Sequence, residues 1–541
     1  MAALKSGEIE ILVEPFGPTD QLVQKIIVAI QKHKRVLAEL RDSKFRILGV
    51  SFPESTKKQK GPVVFKVSSQ FEAIVYDYTN NRTLVISGIA SSPTRWAIIE
   101  SSRQPPPTRE EFEEAIAILR DSGEFSPSLK SGDVVAVAPM PPVLVEELED
   151  GRTRRFIGVH LLGDRGNRTI EILGVDLAAK KLLRFPDRVP AGSNPGAFGT
   201  CGVPADAGQA TANQNTPGQV RVTIKHSGKT IWAFVAVRPA ASSGTNGSGI
   251  ELRFVDLRGK RMLYRAHVPI LNVKYDGDKC GPYRDWQWQE GQIQASGTAI
   301  GNTGFLLCQS PAKTVMDTGS DRGTFLGTAI YVDGAEVVFV SEMEAGWYRY
   351  VSEWRFHIEG SLKPRFGFAA VQNSCVCNVH HHHVYWRLDF DILTASGNRI
   401  EEFNSPPTSG GSSWHQKSFE IRRARDPSRN RHWKITNIAK GLGVEIIPGP
   451  DDGVSSQQPD DPFGRGDTWI LKYRHSEIDD GVPAVGPPYE AGLDQWLNGE
   501  KIDNEDIVFW YAGHFTHDLT AADAARHGHI LGPDIKPINW P

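Results

Sequence analysis

The sequence is poor in cysteine, in excess charge of either sign and in long apolar runs. Only 5 of its 541 residues are cysteine, so the chain is not a disulfide-dense scaffold. Lysine and arginine total 61 against 64 acidic residues, a net charge of −3, which points to neither a nucleic acid nor an anionic membrane as partner. The amino-terminal residues MAALKSGEIEILVEP contain no apolar run of signal-peptide length, and no stretch approaches a membrane span. We therefore expect an intracellular, soluble protein.

Glycine and proline, by contrast, are abundant and separate many short segments. The 52 glycines and 35 prolines favour strands and turns over long helices. Residues 1–104 and 105–214 each contain an amphipathic helical stretch followed by alternating apolar runs. In the second unit Thr108 and Glu111 have the spacing of a capping box at the start of the helix. The predicted fold class is α+β, beginning with two small helix-on-sheet domains at 1–104 and 105–214.

From residue 215 onward the pattern changes to strands alone. Runs such as VRVTIKH, TIWAFVAVR and VYWRLDFDIL follow one another, and convincing amphipathic helices almost disappear. We predict one large antiparallel β-sandwich over residues 215–541.

The most unusual stretch is CVCNVHHHHVYWRLDFD, residues 375–391, which contains four consecutive histidines. In a strand, residues i and i+2 share a face, so either His380 and His382 or His381 and His383 could converge on one metal ion. A third ligand would have to come from elsewhere in the chain. The remaining candidates lie towards the carboxyl end: His514, His517, His527 and His529.

Two other interpretations of this stretch stay open at this point. The histidines can be ordinary polar residues of a strand, with only a weak affinity for metal. Alternatively, Cys375 and Cys377 can join the histidines in a Cys₂His₂ zinc site, although their spacing is tighter than zinc ligation usually takes.

Three segments, each in the expected order, resemble the copper amine oxidases. HHHVYWRLDFDI (381–392) resembles that family's HxH…RLD strand, and AEVVFVSEMEAGWYRYVSEWRF (335–356) resembles the strand with the cofactor-precursor tyrosine. DNEDIVFWYAGHFTHDL (503–519) resembles the closing strand, which ends in the third copper histidine. The two amino-terminal units look like the small, cystatin-like domains that precede the family's catalytic β-sandwich. The resemblance therefore covers nearly the whole chain.

The resemblance implies a copper centre formed by two strands. Its ligands would be His380, His382 and His517. The first two are preferred because His382 stands five residues before Arg387, as in the family pattern. A shift of one residue would instead present the other face of the strand, with the histidines at 381 and 383.

The resemblance also implies a quinone and a second metal site. Tyr348 occupies the cofactor position and is followed by Tyr350; in the family this tyrosine is oxidised by copper and dioxygen to topaquinone. The quinone oxidises a primary amine to an aldehyde, and the other products are ammonia and hydrogen peroxide. A peripheral calcium-type site would use hard oxygen ligands from Asp389, Phe390 (through its carbonyl), Asp391 and Asp506.

The sequence departs from the family pattern around the quinone and the catalytic base. Trp347 stands where the family has asparagine, and Arg349 stands where it has an acid. Tyr275 fits the tyrosine that hydrogen-bonds the quinone. Counted from Tyr275, the place of the proton-abstracting aspartate falls on Gln289, whose amide cannot take a proton at neutral pH. Two nearby carboxylates remain as alternative bases, Glu290 and Asp285.

The segment after Gln289 is shorter than the family's, which usually contains a disulfide there. Cys308 resembles one of those cysteines, and Cys280 is its candidate partner.

Three functions are compatible with these observations. The first is an amine oxidase with an altered pocket. The second is a copper oxidase or oxygenase on the same scaffold, with Tyr348 unmodified, acting on a specialised metabolite. The third is a non-catalytic copper-binding homologue. Either enzyme would use a small-molecule substrate and O₂, and members of the family are homodimers, so a homodimer is expected.

Overall fold

The computed structural model of the chain describes residues 1–53, 58, 68–101, 104–139, 143–149, 153–163, 169–184, 201–204, 213–276, 280–455, 463, 465–482, 484, 492–517 and 528–541. The described part is mostly β, and two large sheets contain most of its strands. None of the helices in these residues is long and apolar enough to cross a membrane.

The first large sheet has 11 strands and contains the histidine run. Across the sheet its strands are β1 (Ala2–Ser6), β2 (Ile9–Phe16), β12 (Gln219–His226), β13 (Lys229–Val237), β14 (Glu251–Leu257), β15 (Lys260–Tyr275), β25 (His380–Phe390), β32 (Ile507–His517), β31 (Thr468–Lys472) and β28 (Ile421–Arg423), with β16 (Pro282–Arg284) beside β15.

The second large sheet has 12 strands and contains the cofactor-position tyrosine. In order they are β18 (Gly297–Ala299), β19 (Phe305–Cys308), β21 (Thr328–Asp333), β22 (Glu336–Ala345), β23 (Tyr348–His357), β24 (Leu362–Ala370), β34 (Asp534–Ile538), β30 (Gly443–Ile447), β29 (His432–Asn437), β26 (Asn398–Phe403) and β27 (Trp414–Lys417), with β33 (His529–Leu531) beside β24. A separate pair is formed by β17 (Gln292–Ile293) and β20 (Phe325–Leu326).

The two large sheets face each other across one hydrophobic core. Alternate residues of β12 and β13 point into it, as the period of a strand requires. There Phe234 of the first sheet stacks on Phe356 of the second, with ring centroids 4.3 Å apart. The antiparallel β-sandwich predicted for residues 215 onward matches this arrangement, since both sheets are built almost entirely from that region.

The amino-terminal region contains two smaller sheets, each covered by helices. A four-stranded sheet packs under two helices: β3 (Phe45–Ser51), β4 (Gln70–Asp77), β5 (Arg82–Ile89) and β6 (Ala97–Ser101), with α1 (Asp20–Lys32) and α2 (Lys34–Glu39). A five-stranded sheet packs under two more: β7 (Val134–Val137), β8 (Val143–Glu147), β9 (Thr153–Gly163), β10 (Thr169–Asp176) and β11 (Lys181–Arg184), with α3 (Arg109–Asp121) and α4 (Ser126–Ser131). One short helix, α5 (Val315–Thr318), lies in the sandwich.

Local sequence explains where these helices start. The Thr108 side chain accepts from the Glu111 backbone, and the Glu111 side chain accepts from the Thr108 backbone, so the predicted capping box of α3 is confirmed.

One feature differs from the predicted grouping of residues 1–104. Strand β2 pairs with β12, Val13 lying opposite Val222, so the first strands extend a large sheet. The boundaries at 104/105 and 214/215 stay predictions.

Candidate metal centre and its surroundings

Two neighbouring strands bring the predicted copper ligands together. Strand β25 runs antiparallel to β32, and His380 lies directly opposite His517. His382 lies two residues further along β25 and therefore on the same face. Both His380 and His382 are fully buried. These two histidines with His517 and Tyr348 are called the histidine cluster below.

Tyr348 begins β23 in the opposite sheet and reaches across the core to the histidines. Its hydroxyl is hydrogen-bonded to His380 Nε2, and it lies 3.2 Å from His517 Nδ1. The ring of Tyr348 packs edge-on against His382, with centroids 4.4 Å apart. The cofactor-position tyrosine thus contacts all three predicted copper ligands.

The backbone holds His380 in the form that a metal needs. Its Nδ1 lies 2.5 Å from the carbonyl oxygen of Asn378, so Nδ1 carries the proton and donates it, and Nε2 keeps a lone pair. Burial, aided by His517, lowers the pKa of His380 to about 3, so the imidazole is neutral. A neutral imidazole with one nitrogen anchored to a carbonyl is the usual state of a metal-ligating histidine.

His382 provides the test of whether a metal fits here. Both of its ring nitrogens are buried, and neither has a hydrogen-bond partner among the described residues. Leaving a buried polar atom unpaired costs about 1 to 3 kcal/mol. Burial also holds the pKa of His382 well below its usual value, so this unsatisfied ring is neutral. Two neutral imidazoles, one of which has no hydrogen-bond partner among the described residues, suit copper or a similar borderline ion.

The other two histidines of the run face away from Tyr348 and have their own partners. His381 Nδ1 lies 3.0 Å from the Thr516 hydroxyl, and its Nε2 lies 3.4 Å from Asp276. His383 Nδ1 lies 2.8 Å from His514, which in turn contacts Asp467 at 2.9 Å. Of the remaining candidates, His529 packs on Phe515, and His527 lies outside the described residues.

The three imidazole rings do not bring their ligand nitrogens within 4.8 Å of one another. Among the described residues, the cluster whose ligand atoms all lie within 4.8 Å of one another is formed by three aspartates instead. In the histidine cluster the Tyr348 hydroxyl stands between His380 and His517. Holding one ion with all three rings would therefore require at least one side chain to rotate.

The chain is similar to known proteins both in part of its sequence and in its fold. Residues 360–540, which include β25 and β32, match the family described as copper amine oxidase, enzyme domain. A copper-containing benzylamine oxidase from Hansenula polymorpha superposes with a TM-score of 0.53 and 12% identity over 99% of this chain and 94% of that one. No curated protein matches the sequence. The predicted resemblance to copper amine oxidases is confirmed.

Two further solved structures share their fold with this chain. An Aspergillus nidulans amine oxidase has a TM-score of 0.54 and 11% identity, covering 97% of this chain and 88% of that one. A Pichia pastoris lysyl oxidase has a TM-score of 0.53 and 10% identity, covering 97% and 90%. At this level of identity the superpositions establish the fold alone.

Next to Tyr348, the side chain of Tyr350 leads to a buried carboxylate. The two tyrosine rings stack with centroids 5.3 Å apart and planes 10° from parallel. The Tyr350 hydroxyl donates to Asp285 Oδ2, whereas Asp285 Oδ1 has no hydrogen-bond partner in the described part of the chain. Burial raises the pKa of Asp285 to about 7, against the lowering effect of the Tyr350 bond. Asp285 is therefore poised to exchange a proton near neutral pH.

The other two candidate bases are differently placed. Glu290 is buried and forms an ion pair with Arg238, whose Nε lies 2.8 Å away, and it accepts from the Ala240 backbone at 3.3 Å. This carboxylate is fully engaged as a structural anion. Gln289 accepts a hydrogen bond from Trp286 Nε1 at 2.9 Å.

Two aromatic residues cover the other side of His380. Tyr275 lies opposite His380 on β15, and their rings stack with centroids 4.6 Å apart. Trp347 Nε1 donates to the Tyr275 hydroxyl at 2.8 Å. The indole that replaces the family's asparagine thus braces a tyrosine that contacts a metal ligand.

Arg349 has a partner that could not be inferred from the sequence. It is buried and makes a two-point ion pair with Asp321, at 2.7 and 3.0 Å, and its Nη1 donates to the carbonyls of Gly346 and Tyr348. Glu344 lies 3.5 Å away, and burial raises its pKa to about 7. The arginine fixes the backbone on both sides of Trp347.

The cysteines correct two predictions. Cys375 is bonded to Cys280, and Cys377 to Cys201, so the zinc interpretation of this stretch is wrong. The candidate pairing of Cys280 with Cys308 is also wrong, because Cys308 is a buried free thiol. Both disulfides hold the short turn Ser374–Cys377, which lies directly before His380.

The four predicted calcium-type positions also lie together, at the far end of β25. Asp389, Asp391 and Asp506 bring their carboxylates within 4.8 Å of one another, and they are called the aspartate cluster below. Phe390 lies between the first two, and its side chain is buried in the core. An unpredicted residue, Lys58, places its ammonium group on all three carboxylates.

Proposed function

We propose that the chain is a copper-dependent oxidoreductase that oxidises a primary amine with O₂ to an aldehyde, ammonia and hydrogen peroxide, with Tyr348 as the precursor of topaquinone. One observation carries the proposal: the Tyr348 hydroxyl lies between His380 and His517, beside a buried His382 whose nitrogens have no hydrogen-bond partner among the described residues. Copper bound there would supply one-electron chemistry and activation of O₂. Benzylamine and lysine side chains, the substrates named for two of the structural neighbours, are the first amines to test.

The chain's own groups have distinct tasks in this proposal. The Asn378 carbonyl keeps His380 in the tautomer that presents Nε2 to a metal. Tyr275 and Trp347 fix the orientation of that imidazole ring from its other side. Asp285 is the group that takes a proton, because its raised pKa lies near neutral pH and Glu290 is held by Arg238. A homodimer is expected and can be measured in the same preparation by light scattering.

A second candidate function has an observation in its favour. The Asp285 carboxylate already accepts a hydrogen bond from the Tyr350 hydroxyl. In addition, the position of the family's base is occupied by Gln289. A copper oxidase or oxygenase that uses unmodified Tyr348 and acts on a specialised metabolite needs no base at that point.

Peptide mass spectrometry distinguishes these functions. The protein is loaded with copper in air, and the peptide containing Tyr348 is analysed beside the Tyr348→Phe and His382→Ala variants. Amine oxidation predicts a gain of two oxygens and a loss of two hydrogens at Tyr348, absent from both variants. An unmodified tyrosine with stoichiometric copper and O₂ consumption would favour the second function. Without any O₂ consumption, the chain would be a non-catalytic copper-binding homologue.

A further inference from the structure

The aspartate cluster is already occupied by a cation that belongs to the chain. Lys58 Nζ lies 2.7 Å from Asp389, 2.8 Å from Asp391 and 2.8 Å from Asp506. The lysine side chain is only 9% exposed, and the Asp389 side chain is fully buried. Three charge-assisted contacts at these distances are typical of a fully engaged ammonium group.

Two aromatic rings complete the surroundings of the ammonium. Lys58 Nζ lies 4.0 Å from the ring centroid of Tyr473 and 4.8 Å from that of Tyr264. Aromatic faces attract an organic cation through the ring quadrupole. Calcium, by contrast, takes six to eight oxygen ligands, and a ring face supplies none. With Lys58 in place the site therefore suits an ammonium group, which occupies the point where a calcium ion would need the same oxygens.

The lysine comes from a distant part of the chain. In the sequence it is 331 positions from Asp389. It belongs to the connection between β3 and β4, two strands of the four-stranded amino-terminal sheet. Asp389 lies in β25, Asp391 directly follows that strand, and Asp506 directly precedes β32 in the sandwich. A single buried ammonium thus ties the amino-terminal region to the sandwich.

The charges of the site agree with a resident lysine. Burial alone would lower the pKa of Lys58, but Asp389, Asp391 and Asp506 outweigh it and raise that pKa above its ordinary value. One ammonium against three carboxylates leaves a net negative charge at the aspartate cluster. Removing the lysine would leave a site with a strong electrostatic demand for a divalent cation.

We propose that Lys58 is a built-in cation that takes the place of a divalent metal ion at the aspartate cluster, so that the native chain does not bind calcium there and the Lys58→Met chain does. The ammonium and a calcium ion would occupy the same point between the same oxygens. The proposal is independent of the copper chemistry and of the fate of Tyr348.

Terbium luminescence tests this directly, because an ion at the position of Lys58 would lie close to two tyrosines that can sensitise it. The full-length protein is titrated with Tb³⁺ and then with competing Ca²⁺, as native chain, as Lys58→Met and as the double variant Lys58→Met/Asp391→Asn. The matched control is Lys472→Met, which removes a partly exposed lysine paired with Glu505 nearby in the sandwich. We expect one calcium-competed site to appear only in Lys58→Met and to be lost again in the double variant.

Two results would overturn the proposal. One is a stoichiometric calcium site in the native chain that disappears in Asp391→Asn, since the ion would then displace Lys58. The other is a folded Lys58→Met chain that gains no site. If Lys58→Met does not fold, the native chain and Asp391→Asn still test the first result. Refolding Lys58→Met with and without Ca²⁺ tests the second, because a new site predicts recovery by calcium and failure to recover contradicts it.

Discussion

The histidine cluster and the aspartate cluster lie at opposite ends of the paired strands β25 and β32, and they satisfy their buried polar groups in opposite ways. At the start of the strand, His382 keeps two buried nitrogens without hydrogen-bond partners among the described residues. At its end, Asp389 and Asp391 meet the ammonium of Lys58 at 2.7 and 2.8 Å. The histidine cluster can accept a ligand, whereas the aspartate cluster already holds the ammonium of Lys58.

The difference follows from the chemistry of the two side chains. An imidazole responds to burial by losing its proton, so it can stand neutral and unpaired at a cost of about 1 to 3 kcal/mol. Three carboxylates within 4.8 Å of one another cannot all be ionised without a counter-charge. Neutral histidines can therefore stay folded without a bound metal, whereas a cluster of carboxylates needs a cation at all times.

The largest effect is expected from removing a histidine that faces Tyr348. His380→Ala or His382→Ala should lower copper affinity by more than about 100-fold, since loss of even an outer-sphere partner costs about 10- to 100-fold. His381→Ala is the matched control, because that ring contacts Thr516 and Asp276 on the other face. Copper per chain, measured after dialysis against a weak chelator, checks the prediction. Equal loss in all three variants would contradict the assignment.

At the aspartate cluster the expected effect is on stability. Lys58→Met leaves the buried Asp389 and Asp391 and the partly buried Asp506 without their cation, and breaking a buried ion pair from one side costs about 3 to 5 kcal/mol. The free energy of unfolding in calcium-free denaturant titrations should fall by that amount. Lys472→Met should change it by less than about 1 kcal/mol, because its pair with Glu505 is partly exposed. Equal losses in both variants would show that the ammonium of Lys58 contributes little.

Asp285 sharpens the comparison, because it is a buried carboxylate near the histidine cluster and forms no ion pair with any lysine or arginine in the described part of the chain. Burial raises its pKa from 3.8 to about 7, so the folded chain keeps a proton that the unfolded chain releases. Its ionisation therefore destabilises the fold progressively as pH rises from about 4 to about 7, by up to about 4 kcal/mol. Asp285→Asn should remove that loss and be more stable than the native chain at pH 8, but not at pH 4.

Thermal unfolding across this pH range checks the sign. Asp121→Asn, at the exposed end of α3, is the control and should leave the pH profile unchanged. A native chain whose stability rises from pH 4 to pH 7, with no difference in Asp285→Asn, would mean that Asp285 is ionised throughout.

Local patterns in the sequence, together with the family resemblance, were sufficient for one half of this comparison. The two-residue period of a strand left two pairs of histidines, and the resemblance, through the spacing to Arg387, selected His380 and His382; both face Tyr348. The resemblance also grouped Asp389 with Asp391. The β-rich sandwich followed from alternation that is strong in nearly every strand after residue 215.

The other half depends on contacts between residues far apart in sequence. Lys58 reaches carboxylates 331 to 448 positions away, and Arg349 meets Asp321 across 28 positions. The disulfides join cysteines 95 and 176 positions apart. The spacing of residues within one strand or helix does not indicate such pairings, and a single sequence gives no other signal for them. Likewise β2 lies next to α1 in the sequence but pairs with β12 of the large sheet.

The smallest predicted effect tests how much the histidine cluster depends on its aromatic support. Tyr275→Phe keeps the ring that stacks on His380 but removes the oxygen that accepts from Trp347 Nε1. A buried indole donor left unpaired should lower stability by about 1 to 3 kcal/mol. Copper affinity should stay within about tenfold, because Asn378 still fixes the His380 tautomer. Tyr283→Phe, which alters a neighbouring ring that also packs on Trp347, is the control. A large loss of copper in Tyr275→Phe alone would mean that the tyrosine hydroxyl, and not only its ring, positions the metal ligand.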